Sequence, residues 1–385
     1  MHREIRSTSA NRGVFDTRRN NLDFVRLSLA TLVIISHSFP LATGTEKYEP
    51  LLLATHGQTT AGTIAVNLFF VLSGFLIANS FLSSSSVWSY LRKRVRRIYP
   101  GFIATLLVGA LVVAPLASAT SPYHSLAARV GDFLLSCLRL REFAYDHAFP
   151  SNPAPGAING SLWSISYEFW CYVGVAALGL VGLLARRRVV LGIFGMSLVV
   201  SFLFALKGWT PGGRFLGPIF GYPPFWARLL PMYLAGVLFF LYRDRIPHNG
   251  NIAAAALGVL VAAAFIPMAW ALCFPLAGTY LIFWFGFHPG IRLTNFARYG
   301  DFSYGTYLYA FPIQQLVVHF VGHPMNPWML AAIAIPLTLI AAMLSWHLVE
   351  KRFLASSKKV RGPEVVQATS RPAASISAVR SGAFQ

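Results

Sequence analysis

The chain alternates long apolar blocks with short polar joints, and within the blocks the apolar residues run all the way round rather than along one stripe or at every second position. That pattern predicts helices surrounded by hydrocarbon. Ten blocks are long enough and nearly uncharged enough to cross a core about 30 Å thick. They run Phe24 to Thr43, Ala61 to Phe81, Tyr99 to Ala119, Ser161 to Leu184, Val189 to Leu206, Trp226 to Tyr242, Asn251 to Ile266, Pro267 to Phe287, Phe302 to Gly322 and Trp328 to Leu348. Asn251 to Ile266 is the shortest. The expected fold is an all-α integral membrane bundle of about ten transmembrane helices. The longest external segment, Thr120 to Gly160, holds one amphipathic stretch, Ser125 to Arg141, and a loop rich in Pro and Asn, Phe149 to Gly156, fit to cap a cavity from outside.

Composition agrees: 55% of the 385 residues are hydrophobic, 12% are charged, and the mean hydropathy is +0.56. Polar residues fill the first twenty positions, with no small-residue cleavage site behind a short apolar core, so no signal peptide is read. Three organisational units are expected: a basic cytoplasmic segment, 1–20; the ten-helix domain, 21–354; and a disordered cytoplasmic tail, 355–385, rich in Ser, Ala and Val. A net charge of +19 brings nucleic acid to mind, but nucleic-acid binding needs a basic patch on an aqueous domain, and none is evident. Topology accounts for the charge. With both termini cytoplasmic, 24 of the 32 Lys and Arg fall inside and 6 outside, while Arg26 and Arg228 lie within spans. Cys137, Cys171 and Cys273 have no metal-ligand spacing, so no metal is expected.

Five groups of residues carry candidate chemistry. Arg26 and His37 are eleven residues apart in the first span, about three whole turns, so they share a helix face roughly 16 Å apart along the axis. An ionisable residue at membrane depth marks a functional site by default, and His exchanges a proton near neutral pH. Glu168, in Leu162-Trp163-Ser164-Ile165-Ser166-Tyr167-Glu168, is read as the acid lying well inside an apolar span, and it needs a partner. A structural ion pair with Arg26 or Arg228 is one option. The other is a catalytic pairing with His37, since a fourth span that starts outside puts Glu168 in the outer half of the membrane. The basic run Arg92 to Arg97 either anchors the chain on anionic lipid or, because Arg94 and Arg97 face one side of a helix, clamps a phosphate-bearing ligand. Ser73 and Gly74, in Asn67 to Ile77, permit close approach of a backbone or an acyl chain. Tyr304 and Tyr307 share a face of a span that Pro312 would kink, and Asn159 sits where an external turn leads into the fourth span.

In this order the motifs resemble those of acyltransferase family 3, the membrane-bound O-acyltransferases of cell-surface glycans, over about Asn21 to Phe353. The residues that match are Arg26 and His37; Phe69-Phe70-Val71-Leu72-Ser73-Gly74-Phe75; Arg94 and Arg97; Leu162 to Glu168; and Glu350-Lys351-Arg352-Phe353. The resemblance implies acyl transfer, commonly of acetyl from acetyl-CoA as co-substrate with no tightly bound cofactor, to a hydroxyl of an exported or lipid-linked glycan at a bacterial cytoplasmic membrane. It implies catalytic roles for His37, Glu168 and Arg26, donor contacts at Arg94, Arg97, Ser73 and Gly74, and acceptor or support roles for Asn159, Trp163, Tyr304 and Tyr307. Expected partners are membrane lipids, the glycan acceptor and a separate extracytoplasmic transferase or export machinery. The chain departs from many members at Asn67, where they carry Asp, and at Ala310, where they carry His. It is read as the stand-alone form, without an appended esterase-like domain. Either an acyl-His37 forms, or the acceptor attacks the thioester directly. A transporter or flippase of a glycan intermediate would also use intramembrane Arg, His and Glu, but it predicts repeats between the two halves, and the sequence shows none.

Overall fold

The computed structural model describes residues 15, 20–121, 125–212, 217–293, 296–322 and 324–355. The basic N-terminal segment, apart from Phe15 and Asn20, and the tail from 356 onward lie outside the described residues. Among those described the chain is helical, and its one sheet-like pairing is an isolated bridge between Thr120 and Asp146. The main helices are α1 (Leu22–Thr43), α2 (Ala61–Leu82), α3 (Val87–Leu116), α4 (Leu126–Arg139), α5 (Trp163–Leu180), α6 (Arg187–Lys207), α7 (Pro223–Tyr242), α8 (Gly250–Ala264), α9 (Ala269–Gly286), α10 (Ser303–Val321) and α11 (Pro327–Leu354).

Every predicted block overlaps one of these helices, and the amphipathic stretch is α4. Seven are long and apolar enough to cross a membrane: α1, α2, α3, α6, α7, α9 and α11. The others fall short for visible reasons. α8 has only 15 residues, while Ser164, Ser166 and Glu168 in α5 and Gln314 and Gln315 in α10 make those helices more polar.

Local chemistry sets the helix ends. Thr60 and Ser86 accept the backbone N–H groups of Thr63 and Ser89 at the starts of α2 and α3, and Gly44, at φ +75°, closes α1 in the left-handed conformation. The basic run differs from expectation. It is not a joint ahead of a span beginning at Tyr99, because the helix starts at Val87 and carries Arg92 to Arg97 in its own early turns. Lys and Arg are good helix formers, and Ser86 supplies the cap. At 30 residues α3 is about 45 Å long, more than the hydrocarbon thickness, so one end must project beyond it.

Helices α2 and α7 form the tightest contact of the core. A Cβ on Gly74 would lie 2.0 Å from the Tyr233 carbonyl oxygen, and one on Gly236 would lie 1.9 Å from that of Val71. Only glycine admits this approach. Hydrogen bonds join helix ends on two faces. On the basic face Asn21 N–H donates to Gly286 O at 2.8 Å and Tyr304 OH to Ile98 O at 2.9 Å. On the opposite face Gln58 Nε2 donates to the carbonyls of Ala263 and Ala264.

The Pro- and Asn-rich loop does more than cap that opposite face, because it descends into the bundle along α10. Asn152 Nδ2 donates to Gln315 O and Oε1, Gln315 Nε2 donates to Ala154 O, Asn159 Nδ2 donates to Leu308 O at 2.7 Å, and Tyr307 OH donates to Ser161 O at 2.8 Å. From Gln315 to Tyr307 is eight residues of helix, a descent of about 12 Å. Irregular backbone at this depth is tolerated because α10 satisfies its polar groups. Consequently α5 starts beside Tyr307 rather than at the opposite face, which shifts all of α5 toward the basic face.

Candidate active site

A cavity of about 350 Å³ runs between α2, α3, α5 and α10, within the usual range for small-molecule sites. Lys93, Arg96 and Leu354 line it at the basic face, Arg26, Ser73, Arg94, Arg97, Glu168, Tyr172 and Tyr304 along its length, and Phe69, Ser164 and Tyr307 at the far end. Of the residues singled out in the sequence, His37, Gly74, Asn159 and Trp163 do not line it. Gly74 is pressed against α7. Asn159 is a pin: its Nδ2 reaches Leu308 O, its Oδ1 accepts from Ser161 N–H, and its own N–H donates to the Glu142 carboxylate. In that external segment burial pushes the Glu142 carboxyl up to about 8, against the Asn159 N–H, which favours the charged form.

Glu168 pairs with neither Arg26 nor Arg228. Its Oε1 accepts from Ser73 Oγ at 2.9 Å and from Tyr172 OH at 2.5 Å. Tyr172 is one turn beyond Glu168, a spacing visible in the sequence that the chemical reading passed over. His37 makes no hydrogen bond to Glu168. It meets the edge of Phe311, with ring centroids 5.7 Å apart, and its Nδ1 is buried without a partner. Helical rise accounts for the separation. Ser164 Oγ lies 2.7 Å from Tyr307 OH; Glu168 is one turn from Ser164 toward the basic face, and Phe311 is one turn from Tyr307 the other way. Glu168 and His37 are thus about 12 Å apart along the bundle. The expectation of equal depth fails because the descending loop starts α5 deep in the bundle.

The two arginines of the basic run also part company. Arg97 Nη2 lies 2.6 Å from Asp301 Oδ2, its Nη1 lies 3.8 Å from Glu350 Oε2, and its guanidinium sits over the Tyr304 ring at 5.4 Å. Arg26 joins the same group, with Nη1 3.6 Å from Asp301 Oδ2 and 3.7 Å from Asp23 Oδ1. Burial opposes charge on Asp301, but Arg97, Arg26 and Ser303 outweigh it and hold the carboxyl at about 2. Glu350, only 2% exposed, receives Ser345 Oγ and ties α11 to α3. Neither acid was read as a site residue, though Glu350 stands in the closing Glu350 to Phe353 motif. Arg94 has looser company: Ser80 Oγ at 3.4 Å, the Tyr172 ring at 6.0 Å, and a buried Nε without a partner.

The family model described as an acyltransferase domain matches residues 19–347. The O-acetyl transferase of Shigella phage Sf6 is 29% identical over 357 residues, covering 88% of this chain and 97% of that protein. Acyltransferase MdmB of Streptomyces mycarofaciens is 29% identical over 278 residues, 66% of this chain and 69% of that protein. Nodulation protein 10 of Rhizobium leguminosarum bv. viciae is 27% identical over 368 residues, 86% and 92% of the two chains. No solved structure matches.

Proposed function

The chain belongs to this acyltransferase family and is a multi-pass membrane acyltransferase, and we propose that it moves an acyl group, most simply acetyl, from cytoplasmic acyl-CoA to a hydroxyl of an exported glycan at a bacterial inner membrane. The observation that carries this reading is the cavity, which is cationic at the basic face and ends one helical turn short of His37. Positive-inside bias makes the basic face cytoplasmic, with ten spans and both termini on that side. CoA is made in the cytoplasm and carries phosphates; Arg94, with Nε unpartnered, grips them, and the acyl-bearing arm lies along Ser73 and Glu168 toward Tyr307. Two relatives' names add support for acyl transfer, one being an O-acetyl transferase and the other an acyltransferase.

The acceptor hydroxyl comes from the opposite face. His37 takes its proton, the oxygen bonds to the acyl carbon, the carbon–sulfur bond breaks, and the leaving thiolate is protonated. By the other route His37 carries the acyl group first. Glu168, 12 Å or so away by helical rise, shapes the donor arm instead of charging the imidazole. Inverted membrane vesicles holding the protein and native glycan, given labelled acetyl-CoA outside, should pass label to glycan within the lumen. Label retained wholly in CoA would overturn the reading.

A further inference from the structure

Arg228, in the second turn of α7, has no carboxylate partner among the described residues, and its Nε is buried without a hydrogen-bond acceptor. An unpaired guanidinium in a membrane span is costly. The chain offsets part of that cost with aromatic faces: the guanidinium lies 5.2 Å from the Trp163 ring centroid and 5.8 Å from that of Phe225, two rings that face each other at 4.6 Å. A second donor stands beside it. The neighbouring indoles of Trp170 and Trp226 donate to Ile219 O and Phe220 O, as interfacial tryptophans do, whereas the Trp163 indole N–H has no hydrogen bond among the described residues. A buried guanidinium with an unpartnered Nε against the Trp163 ring, with no acid beside it among the described residues, fits an acceptor-rich ligand. Trp163 adjoins Ser164, whose hydroxyl closes the far end of the cavity with Tyr307, yet Arg228 itself lines no part of that cavity. Arg228 therefore stands outside the cavity, beyond the Ser164–Tyr307 hydrogen bond.

We propose that Arg228, Trp163 and Phe225 form a subsite that holds the acyl acceptor through an acidic group, a carboxylate or a phosphate. The inference rests on the acyltransferase reading above and adds a requirement to it: the acceptor is anionic near the hydroxyl that is modified. The guanidinium and the indole N–H bind the acid's oxygens, and the faces of Trp163 and Phe225 carry the adjoining sugar.

The test uses the full-length protein in detergent and four probes: a glucuronate-containing tetrasaccharide, its neutral glucose counterpart, polyprenyl phosphate and acetyl-CoA. An acidic probe should bind about tenfold or more tightly than the neutral tetrasaccharide, with a preference that falls as salt rises. Arg228→Gln should erase the preference, Trp163→Phe should weaken it several-fold, and acetyl-CoA affinity should hold in Arg228→Gln. Binding of the glucuronate tetrasaccharide locates the acid in the glycan, and binding of polyprenyl phosphate alone locates it in the lipid linker; either supports the subsite. Equal binding of acidic and neutral probes by the unaltered protein overturns it, and this arm needs no variant to fold. So does a parallel loss of acetyl-CoA binding in Arg228→Gln, which would make Arg228 a donor contact. Failure of the unaltered protein to bind acetyl-CoA would instead count against the acyltransferase mechanism, leaving the acidic-over-neutral comparison to stand by itself.

Discussion

The basic end of the cavity and the opposite side of the bundle treat charge in contrary ways. At the basic end Arg26 and Arg97 are neutralised by Asp23, Asp301 and Glu350, and the two acids that hold Arg97 are themselves held by Ser303 and Ser345. Across the Ser164–Tyr307 hydrogen bond, Arg228 and His37 each keep a buried nitrogen without a partner. The ion pairs fix helices relative to one another even though Glu350 Oε2 has no hydrogen-bond partner, whereas Arg228 and His37 have no ion-pair partner among the described residues. The comparison teaches that the family motifs place residues in unlike settings. Arg97, from the basic motif, braces α3 against α10 and α11, while His37, from the first-span motif, keeps its Nδ1 without a partner.

Breaking the braced end should have the largest effect. Arg97→Ala leaves Glu350 without a cation among the described residues and Asp301 with only the looser Arg26, and removing one partner of a buried pair costs about 3–5 kcal/mol. The unfolding temperature in detergent should drop sharply, and adding Asp301→Asn should restore part of it. An Arg97→Ala protein as stable as its parent would mean the network braces nothing.

The unpaired side should respond in activity instead of stability. His37→Ala should leave expression and unfolding temperature near normal and cut acyl transfer about 100-fold or more, the usual contribution of a positioned base. Surface acylation close to normal in such cells would reduce His37 to a packing residue.

Arg94 sharpens the contrast within a single helix. Arg94→Lys keeps the charge and loses the planar fork, so acetyl-CoA affinity should fall about tenfold with little change in stability. The same substitution at Arg97 should act mainly on stability. Equal effects on both measurements at both positions would erase the distinction between brace and clamp.

The last test concerns pH at the descending loop. The Glu142 carboxyl is raised to about 8 in the folded chain from an unfolded value near 4.5. Its contribution to stability is therefore complete below about pH 4.5 and is lost as pH rises through 8. Over one pH unit in that window the loss is at most about 1.4 kcal/mol. Glu142→Gln should flatten the dependence of unfolding temperature on pH between 5 and 8, and an unchanged slope would assign it to other groups.

Much of the molecule was legible in its sequence because hydrocarbon imposes a simple rule. A block of apolar residues in a bilayer has to satisfy its own backbone, so each became a helix. The pairing of Arg26 with His37 on one face of α1 and the ranking of Arg94 and Arg97 as neighbours on α3 follow from helical period alone, and the five ordered motifs carried the family. Depth and partners did not follow. Nothing local in Pro150 to Leu162 says that this loop descends about 12 Å along α10; that depends on Gln315, Leu308 and Tyr307 meeting it from 150 or so residues away. The descent moves Glu168 out of reach of His37 and into the cavity lined by Ser73, Tyr172 and Arg94. Asp301 and Glu350 likewise become the partners of Arg97 only when α3, α10 and α11 converge. A sequence fixes which groups a helix presents on each face; whether a charge is braced or left waiting is settled by the helices packed against it.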